Sequence, residues 1–303
     1  MSQQPIDNLE IRRVDPADFP ILISLTRQAR AAGELTNYGD AEIARFVEGL
    51  GDEPHMVFVA TTGGAVVGFL AANWEVLYVA PGWRRRGIAR QLVKRVLQEK
   101  PDLELGPDRQ HPGTRDFLTA IGFGFDHLMQ RMKRPSDLLA PDPAVPNGFV
   151  LRTYRHEDFD TYFALWNRAF LDHPTPIQTS EERMRAVHAR ENFDPTRIGL
   201  IARASDPSDL VGFITTRSLI EENGEVIGPI GAIGTDRSVR RLGLGRTLLR
   251  WGIQRLKQAG AGPITLEVVT TNERALPLYE SEGFLPDQSW EFWTYKGAEQ
   301  LGR

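Results

Sequence analysis

Apolar and polar residues recur along the chain in the same order twice. Residues 9–25 (LEIRRVDPADFPILISL) align without a gap on residues 149–165 (FVLRTYRHEDFDTYFAL). Each stretch begins with a run that favours a short strand, continues with an acidic helix start and ends with apolar residues at helical spacing. Residues 65–73 and 209–217 repeat in the same way, as strands that follow a turn. The repetition indicates an internal duplication, with two α+β units in tandem.

A proline-rich segment separates the two copies. Residues 135–147 (PSDLLAPDPAVPN) contain four prolines in 13 residues. Proline lacks a backbone donor and fixes φ, so neither a helix nor a central strand persists there. We therefore expect an N-terminal unit at 1–134, a linker at 135–147 and a C-terminal unit at 148–303.

A turn that contains glycine follows a predicted strand in each copy. In the second copy, residues 230–235 (IGAIGT) lead to Arg240-Arg241-Leu242-Gly243-Leu244-Gly245, and helical periodicity follows. Such a turn presents free backbone N–H groups and the positive end of a helix dipole to an anion. Glycine also lets the backbone approach that anion closely. One such motif alone is more often an ordinary strand-to-helix turn with solvated arginines.

Two other phosphate-binding motifs are excluded by spacing. The dinucleotide-binding fingerprint needs a third glycine, which neither turn supplies. The P-loop needs Gly-Lys followed by Ser or Thr at the helix start, and this is absent from both turns. Nicotinamide and nucleoside triphosphate sites are therefore not expected.

Composition narrows the function classes further. The chain has 303 residues, a formal net charge of −4 and no cysteine, so a thiol nucleophile, a disulfide and a thiolate metal site are excluded. No apolar segment is long enough to span a membrane, and the first residues do not resemble a signal peptide. The histidines do not cluster, so no metal is expected. We expect a cytoplasmic protein that binds neither nucleic acid nor a membrane.

Two segments of the second copy resemble the GCN5-related N-acetyltransferase (GNAT) superfamily. Residues 234–249 (GTDRSVRRLGLGRTLL) are similar to its acyl-CoA pyrophosphate loop, and residues 266–284 (LEVVTTNERALPLYESEGF) to its second conserved segment. The resemblance extends over both copies and implies two tandem GNAT domains, each a mixed, mostly antiparallel sheet flanked by helices. It implies acetyl-CoA, or another acyl-CoA, as the bound cofactor.

The resemblance also assigns cofactor-binding residues. The pyrophosphate would lie on the backbone of the turn, and the pantetheine arm would pair with the preceding strand like an added strand. In the second copy these residues are Ile233, Gly234, Thr235, Arg240, Arg241, Leu242, Gly243, Leu244, Gly245 and Arg246.

A second motif, N-x-x-A-x-x-x-Y, is formed by Asn272, Ala275 and Tyr279. On a helix, seven residues make about two turns, so Asn272 and Tyr279 would share one face. The resemblance places Asn272 on the pantetheine arm and Tyr279 near the CoA sulfur, as the general acid for the departing thiolate. The alternative for Tyr279 is a packing tyrosine beside Phe284.

The first copy retains the turn without the acid. When the Gly-Phe pairs at 122–123 and 283–284 are aligned, Leu118 stands at the position of Tyr279 and His111 at that of Asn272. Leucine cannot donate a proton, so we expect this unit to be non-catalytic, and whether it binds acyl-CoA stays open. Its candidate cofactor residues are Leu77, Val79, Arg84, Arg85, Arg86, Gly87, Ile88 and Ala89.

The sequence identifies the residues that would bind and deprotonate the amine acceptor less clearly. An amine nucleophile must lose a proton, and the central strands offer Glu267, Asp236 and Glu225 as the general base, of which we select Glu267. In the loop at 166–184, Asp172 and His173 are candidate substrate residues, although a plain helix end explains them equally well. The stretch WEFW at 290–293 is predicted to be a core strand.

These observations favour an N-acetyltransferase whose C-terminal unit moves an acetyl group from acetyl-CoA to a primary amine of a small molecule or peptide by direct attack. The two-unit plan is similar to that of the mycothiol synthases, which makes the amine of a thiol precursor one candidate acceptor. The alternative is an acyl-CoA-binding sensor or scaffold without turnover. A monomer or a homodimer is expected.

Overall fold

The computed structural model describes residues 8–34, 56–106, 113–175, 178–220 and 224–297. They belong to two compact units, which consist of residues 1–129 with 289–303 and of residues 130–288. The fold is α+β in both units, as the sequence predicts. None of the helices in the described ranges is long and apolar enough to span a membrane.

The first unit has an antiparallel sheet with the strand order β1-β2-β3-β4. Along β2, Val57 and Val59 pack with the first helix, whereas Phe58 and Ala60 pack with the second, because successive side chains of a strand point to opposite faces. The elements of this unit are β1 (Leu9–Arg13), α1 (Phe19–Ala31), β2 (Val57–Thr62), β3 (Ala65–Ala71), β4 (Val76–Val79), α2 (Ile88–Leu97), β5 (Glu104–Leu105), α3 (Thr114–Ala120) and the start of β6 (Phe123–Arg134).

The second unit has the same two-sided arrangement. Its sheet has the order β7-β8-β9-β11-β12, in which only β11 and β12 are parallel. Leu200 and Ala202 pack with α4, whereas Ile201 packs with α6. The elements are β7 (Phe149–Thr153), α4 (Phe159–Ala169), α5 (Glu181–His188), β8 (Ile198–Arg203), β9 (Asp206–Thr216), β10 (Leu219–Ile220), β11 (Val226–Thr235), α6 (Leu244–Gln258), β12 (Ile264–Val269), α7 (Leu276–Ser281) and the start of β13 (Leu285–Tyr295).

The end of the chain belongs to the first unit, although the boundaries drawn from the sequence place it in the second. Trp293 pairs with Leu105 of β5, and both side chains are buried in the core around α2. Trp290 and Trp293 are buried to 7% and 8% exposure, in agreement with a core strand.

Residues 135–147 contain neither helix nor strand, as their prolines predict. They are nevertheless fastened to the second unit by side chains that donate to linker carbonyl groups. Arg134 donates to the carbonyls of Leu138 and Leu139 at 3.0 and 2.6 Å, and Lys257 donates to that of Ser136 at 2.8 Å. Thr247 of α6 donates to the carbonyl of Ala144. The segment is thus an ordered stretch of chain that runs along α6.

Candidate active site

Strand β11 separates from β12 at the place where the sequence predicts a pantetheine arm. The parallel ladder joins Gly228 to Ile264 and Pro229 to Thr265. In the remainder of these two strands, all of which is described, no further pair is formed between them. At residues 233–235, the edge of β11 opposite β9 therefore pairs with no strand in the described part of the chain. Such an edge can pair with an extended ligand.

A β-bulge at Gly231 marks the start of this separation. The register between β11 and β9 shifts between Ile230 and Ala232, and Thr215 Oγ1 accepts a hydrogen bond from the Ala232 N–H at 2.9 Å. A β-carbon at Gly231 would lie 2.8 Å from that Thr215 oxygen. Glycine at 231 therefore lets the threonine hydroxyl replace a ladder bond in the bulge.

The turn after β11 is held in a conformation that few residues adopt. Arg241 has a φ of 65°, and Gly243 has a φ of 84°. Gly243 is the residue before α6, and no side chain caps the helix there. Asp236 fixes the preceding turn, because its carboxylate accepts from the Ser238 N–H at 2.9 Å and from the Ser238 hydroxyl at 2.8 Å.

The backbone of this turn suits a pyrophosphate. No acceptor in the described part of the chain receives a hydrogen bond from the N–H groups of residues 241–246. They lie at the N-terminus of a 15-residue helix, whose dipole also favours an anion. A β-carbon at Gly243 would meet no atom within 4 Å, so the space beside the turn is open. The group implied by the resemblance therefore fits the residues present.

The helix that follows the turn is tied to the helix that carries Tyr279. Glu282, 7% exposed, accepts from Arg250 at 3.0 Å and forms an ion pair with Arg246 at 3.3 Å. Arg246 also donates to the hydroxyl of Ser281 at 3.1 Å. The turn and α7 are thus held in a fixed relation by a buried carboxylate.

Helix α7 is shorter than the sequence motif suggests. It begins at Leu276, with Pro277 in its first turn, so Asn272 lies before the helix and not on it. The Asn272 side chain accepts a hydrogen bond from the Ala275 N–H at 3.3 Å, and its carbonyl accepts from the same N–H at 3.0 Å. Asn272 therefore stabilises the turn that enters α7.

Tyr279 is buried in the core between α6, α7 and the sheet, at 6% exposure. Its ring lies 6.2 Å from that of Phe284, centroid to centroid. Burial raises the pKa of Tyr279 above its ordinary value of about 10, so the phenol stays protonated well into the alkaline range.

Glu267 lies in the part of β12 that no longer pairs with β11. It follows Thr265, the last paired residue of β12, by two positions, as Gly231 follows the partner of Thr265, Pro229. Its side chain points away from the core that Leu266 and Val268 enter with α6, and it is 48% exposed. Arg131 donates to its carboxylate at 3.2 Å. The structure thus brings Glu267 to the point where β11 and β12 separate.

The other two candidate bases are placed differently. Burial raises the pKa of Asp236, but hydrogen bonds from Ser238 and Arg168 outweigh it and lower the pKa to about 2. A carboxylate with these partners serves as a cap. Glu225 precedes Ile233 by eight residues of extended chain, which separates them by about 25 Å. Its carboxylate lies near Gly262, at the far end of β12.

The two candidate substrate residues at the end of α4 both have protein partners. Asp172 forms ion pairs with Arg240 and Arg274. The hydrogen bonds from Arg240, opposed by burial and aided by Arg274, hold the pKa of Asp172 well below its usual value. The Nδ1 atom of His173 lies 2.6 Å from the carbonyl of Thr175, in a local turn.

The turn of the first unit has nearly the same backbone as that of the second. Arg85 has a φ of 62° and Gly87 a φ of 83°. Strand β4, which carries Leu77 and Val79, is the last strand of its sheet within the described ranges, so no described strand pairs with its outer edge. Leu118 is buried in the apolar core at 2% exposure. His111 lies outside the described residues.

Sequence reasoning missed the side chains that hold the site together. Three of these side chains contact residues that are distant in the chain: Glu282, Arg274 and Thr215. No local sequence pattern predicts such contacts. Glu282 follows Glu280 and Ser281 in the sequence, so nothing local distinguishes it as a buried carboxylate. Among the described residues, no group of three or more His, Asp or Glu side chains could hold a metal ion.

Two family models match the chain. The model described as the acetyltransferase (GNAT) family matches residues 155–284. The model described as an acetyltransferase (GNAT) domain matches residues 53–123. Each unit is therefore similar to one GNAT domain.

Named relatives cover most of the chain. It is 32% identical over 237 residues to a mycothiol acetyltransferase of Propionibacterium freudenreichii subsp. shermanii, which covers 76% of this chain and 74% of the relative. It is 29% identical over 310 residues to that of Geodermatophilus obscurus, covering 96% and 99%. The solved structure of a GCN5-related N-acetyltransferase from Sphaerobacter thermophilus has a TM-score of 0.70 at 20% identity and covers 96% of each chain. That last likeness concerns the fold.

Proposed function

Because the chain belongs to the acetyltransferase (GNAT) family, with two such domains in tandem, we propose that its second unit transfers an acetyl group from acetyl-CoA to a primary amine of a small molecule. The observation that carries the proposal is the row of N–H groups at 241–246, which have no acceptor among the described residues and follow the edge of β11 at 233–235 by a short turn. When bound, acetyl-CoA supplies an activated thioester.

The chain's own residues bind and orient that donor. The N–H groups of residues 241–246 bind the pyrophosphate, and the side chains of Arg241 and Arg246 add positive charge beside it. The backbone of Ile233, Gly234 and Thr235 pairs with the pantetheine arm. Asn272 and Ala275 line the entry to α7, where the Asn272 amide NH₂ can donate to the same arm.

Tyr279 holds the proton that the departing sulfur needs. A phenol has an ordinary pKa of about 10 and is therefore protonated at neutral pH, and burial raises the pKa of Tyr279 further. A thiol has an ordinary pKa of about 8.5, which is below that of the phenol, so proton transfer to a free thiolate is unfavourable. The phenol therefore gives up its proton only as negative charge develops on the sulfur. With acetyl-CoA bound, the amine nitrogen would bond to the acetyl carbon, the bond from that carbon to sulfur would break, and the proton of Tyr279 Oη would go to the departing sulfur.

Glu267 is the base that we assign to the amine. The proposal is supported by its position two residues after the last paired residue of β12, where β12 no longer pairs with β11. Its carboxylate takes the amine proton directly or through a water molecule, while Arg131 orients it. The acceptor that we test first is the amine of a thiol precursor, because the named relatives are mycothiol acetyltransferases.

The first unit has the turn but not the acid. Leu118 occupies the position of Tyr279 in the core, and leucine has no proton to give. We therefore assign no acetyl transfer to this unit. An acyl-CoA-binding sensor would need only the pyrophosphate turn, whereas an enzyme also needs Tyr279, so turnover of the Tyr279→Phe variant separates the two functions.

The experiment is calorimetric titration of acetyl-CoA into the full chain. The titrations use a Gly87→Glu background, so that the turn of the first unit cannot contribute. In this background, Gly243→Glu places a negative charge on the pyrophosphate cradle, which is the turn at residues 241–246, and should abolish measurable binding. Gly260→Glu is the matched control, since Gly260 also has a φ of 82° and lies at the other end of α6, about 25 Å away. No affinity in the background protein, or equal affinity in the Gly243→Glu variant, would overturn the proposal.

A further inference from the structure

Asp172 lies where three segments of the second unit meet. It lies three residues after the end of α4. Both terminal nitrogens of Arg240 donate hydrogen bonds to its carboxylate, one of them at 2.7 Å. Arg240 also donates to the carbonyl of Ala169, the last residue of α4, at 3.3 Å. Arg240 is thus clamped to the end of α4 by a bidentate ion pair and by the negative end of the helix dipole.

Arg240 is the residue immediately before the cradle. The backbone turns into the left-handed region at Arg241, and the free N–H groups begin there. Fixing the Arg240 side chain therefore fixes the direction in which those N–H groups point. A carboxylate that holds Arg240 acts on the pyrophosphate site without touching the ligand.

The same carboxylate also holds the segment that enters α7. Arg274, between Asn272 and Ala275, donates to Asp172 Oδ2 at 3.2 Å. One aspartate therefore contacts both the pyrophosphate turn and the turn capped by Asn272. These are the two segments that the proposed donor must touch together.

The first unit retains half of this arrangement. Arg84, the counterpart of Arg240, donates both terminal nitrogens to Glu34 at 2.8 and 2.6 Å, and Glu34 follows α1. In the alignment of the two Gly-Phe pairs, Gly113 stands at the position of Arg274. The unit without the acid thus holds its turn but lacks the side chain that would link a carboxylate to the entry of α3.

We propose that Asp172 is a positioning residue for the CoA donor, which couples the pyrophosphate turn to the Asn272 turn through Arg240 and Arg274. The inference rests on the proposed function of the second unit. It gives Asp172 a role in donor binding, in place of the acceptor role that its sequence position suggested.

The test compares the affinity for acetyl-CoA of four full-length proteins in the Gly87→Glu background: the background itself, Asp172→Asn, Asp172→Glu and Asp209→Asn. Asp172→Asn should bind about tenfold more weakly, because a neutral amide cannot hold both arginines. Asp172→Glu should recover affinity to within about threefold of the background. Asp209→Asn should bind normally, since it removes a similarly exposed carboxylate paired with Arg203, on the β8–β9 hairpin.

A second variant guards against a general loss of structure. Arg274→Gln changes a side chain that is 65% exposed, and it should weaken binding about threefold. Combined with Asp172→Asn, it should add little, because both changes break the same link. Equal affinity of Asp172→Asn and the background, or fully additive effects of the two changes, would overturn the inference. A background protein without affinity would instead overturn the proposed function.

Discussion

Arg85 and Arg241 adopt the same left-handed backbone conformation, with φ of 62° and 65°, although 156 positions separate them in the chain. The glycines two residues later also agree, at 83° and 84°. A left-handed conformation is costly for any residue with a β-carbon. The turn therefore has the same shape in both units, although leucine stands at the aligned position of Tyr279 in the first.

Replacing Gly243 by alanine should weaken both the fold and the site. A β-carbon at a φ of 84° costs about 1 kcal/mol of the free energy of unfolding, and relaxation of that strain would misalign the N–H groups. Gly260→Ala carries a similar strain at the other end of α6 and should lose the same stability without losing affinity. Urea unfolding and calorimetry with acetyl-CoA measure the two effects. Equal affinities of the two variants would refute the link between turn shape and binding.

Much of the fold was predictable because its patterns are local. The strand at 230–235, the turn and helix α6 follow one another directly, and each has its own periodicity or glycine signal. Pairings between distant residues have no such signal. Trp293 pairs with Leu105, 188 positions earlier, so the sequence offered no reason to assign the end of the chain to the first unit.

In the candidate site, too, local features could be predicted from the sequence and contacts between distant residues could not. The backbone elements of the cradle could be read from the arginines and glycines, but Asp172 and Arg240 are 68 positions apart and their ion pair could not. The start of α7 was misjudged because Asn272 and Tyr279 have helical spacing. The structure shows that Pro277 occupies the first turn of a helix that begins only at Leu276.

Replacing Glu282 by glutamine should loosen the connection between α6 and α7. The buried carboxylate accepts from Arg250 at 3.0 Å, and the amide would leave this arginine partly unsatisfied, at a cost of about 2 kcal/mol in the free energy of unfolding. Asp209→Asn, on an exposed pair with Arg203, should cost well under about 1 kcal/mol. Urea titrations of the two variants compare them. Similar losses would contradict a structural role for Glu282.

Asp236→Asn should change how stability depends on pH. Asp236 has a folded pKa of about 2, below its unfolded value of about 3.9, so its charge contributes stability above the unfolded value. That contribution is lost as the pH falls through the folded pKa. Since asparagine can still cap the turn, the wild-type protein should be about 2 kcal/mol more stable than the variant near pH 6. The difference should vanish between pH 4 and pH 2. A stability difference between the two proteins that is constant down to pH 2 would disprove the assignment of a lowered pKa to Asp236.

The raised pKa of Tyr279 predicts the alkaline side of the rate profile. Burial keeps the phenol protonated beyond its ordinary pKa of about 10, so ionisation of Tyr279 should not lower the turnover number between pH 8 and pH 10. Stopped assays of CoA release at saturating acetyl-CoA give this profile. A fall in turnover below pH 9 that is absent from the Tyr279→Phe variant would show that the phenol ionises earlier.

The central claim is that the second unit is an enzyme with Tyr279 as its acid. Its most direct test is a screen of primary amines, thiol precursors included, for CoA release by the wild-type protein and by Tyr279→Phe. The account predicts release with at least one amine, and a rate about a hundredfold lower in the variant at unchanged affinity for acetyl-CoA. Equal rates in the two proteins, or tight binding of acetyl-CoA with no amine acetylated, would contradict it.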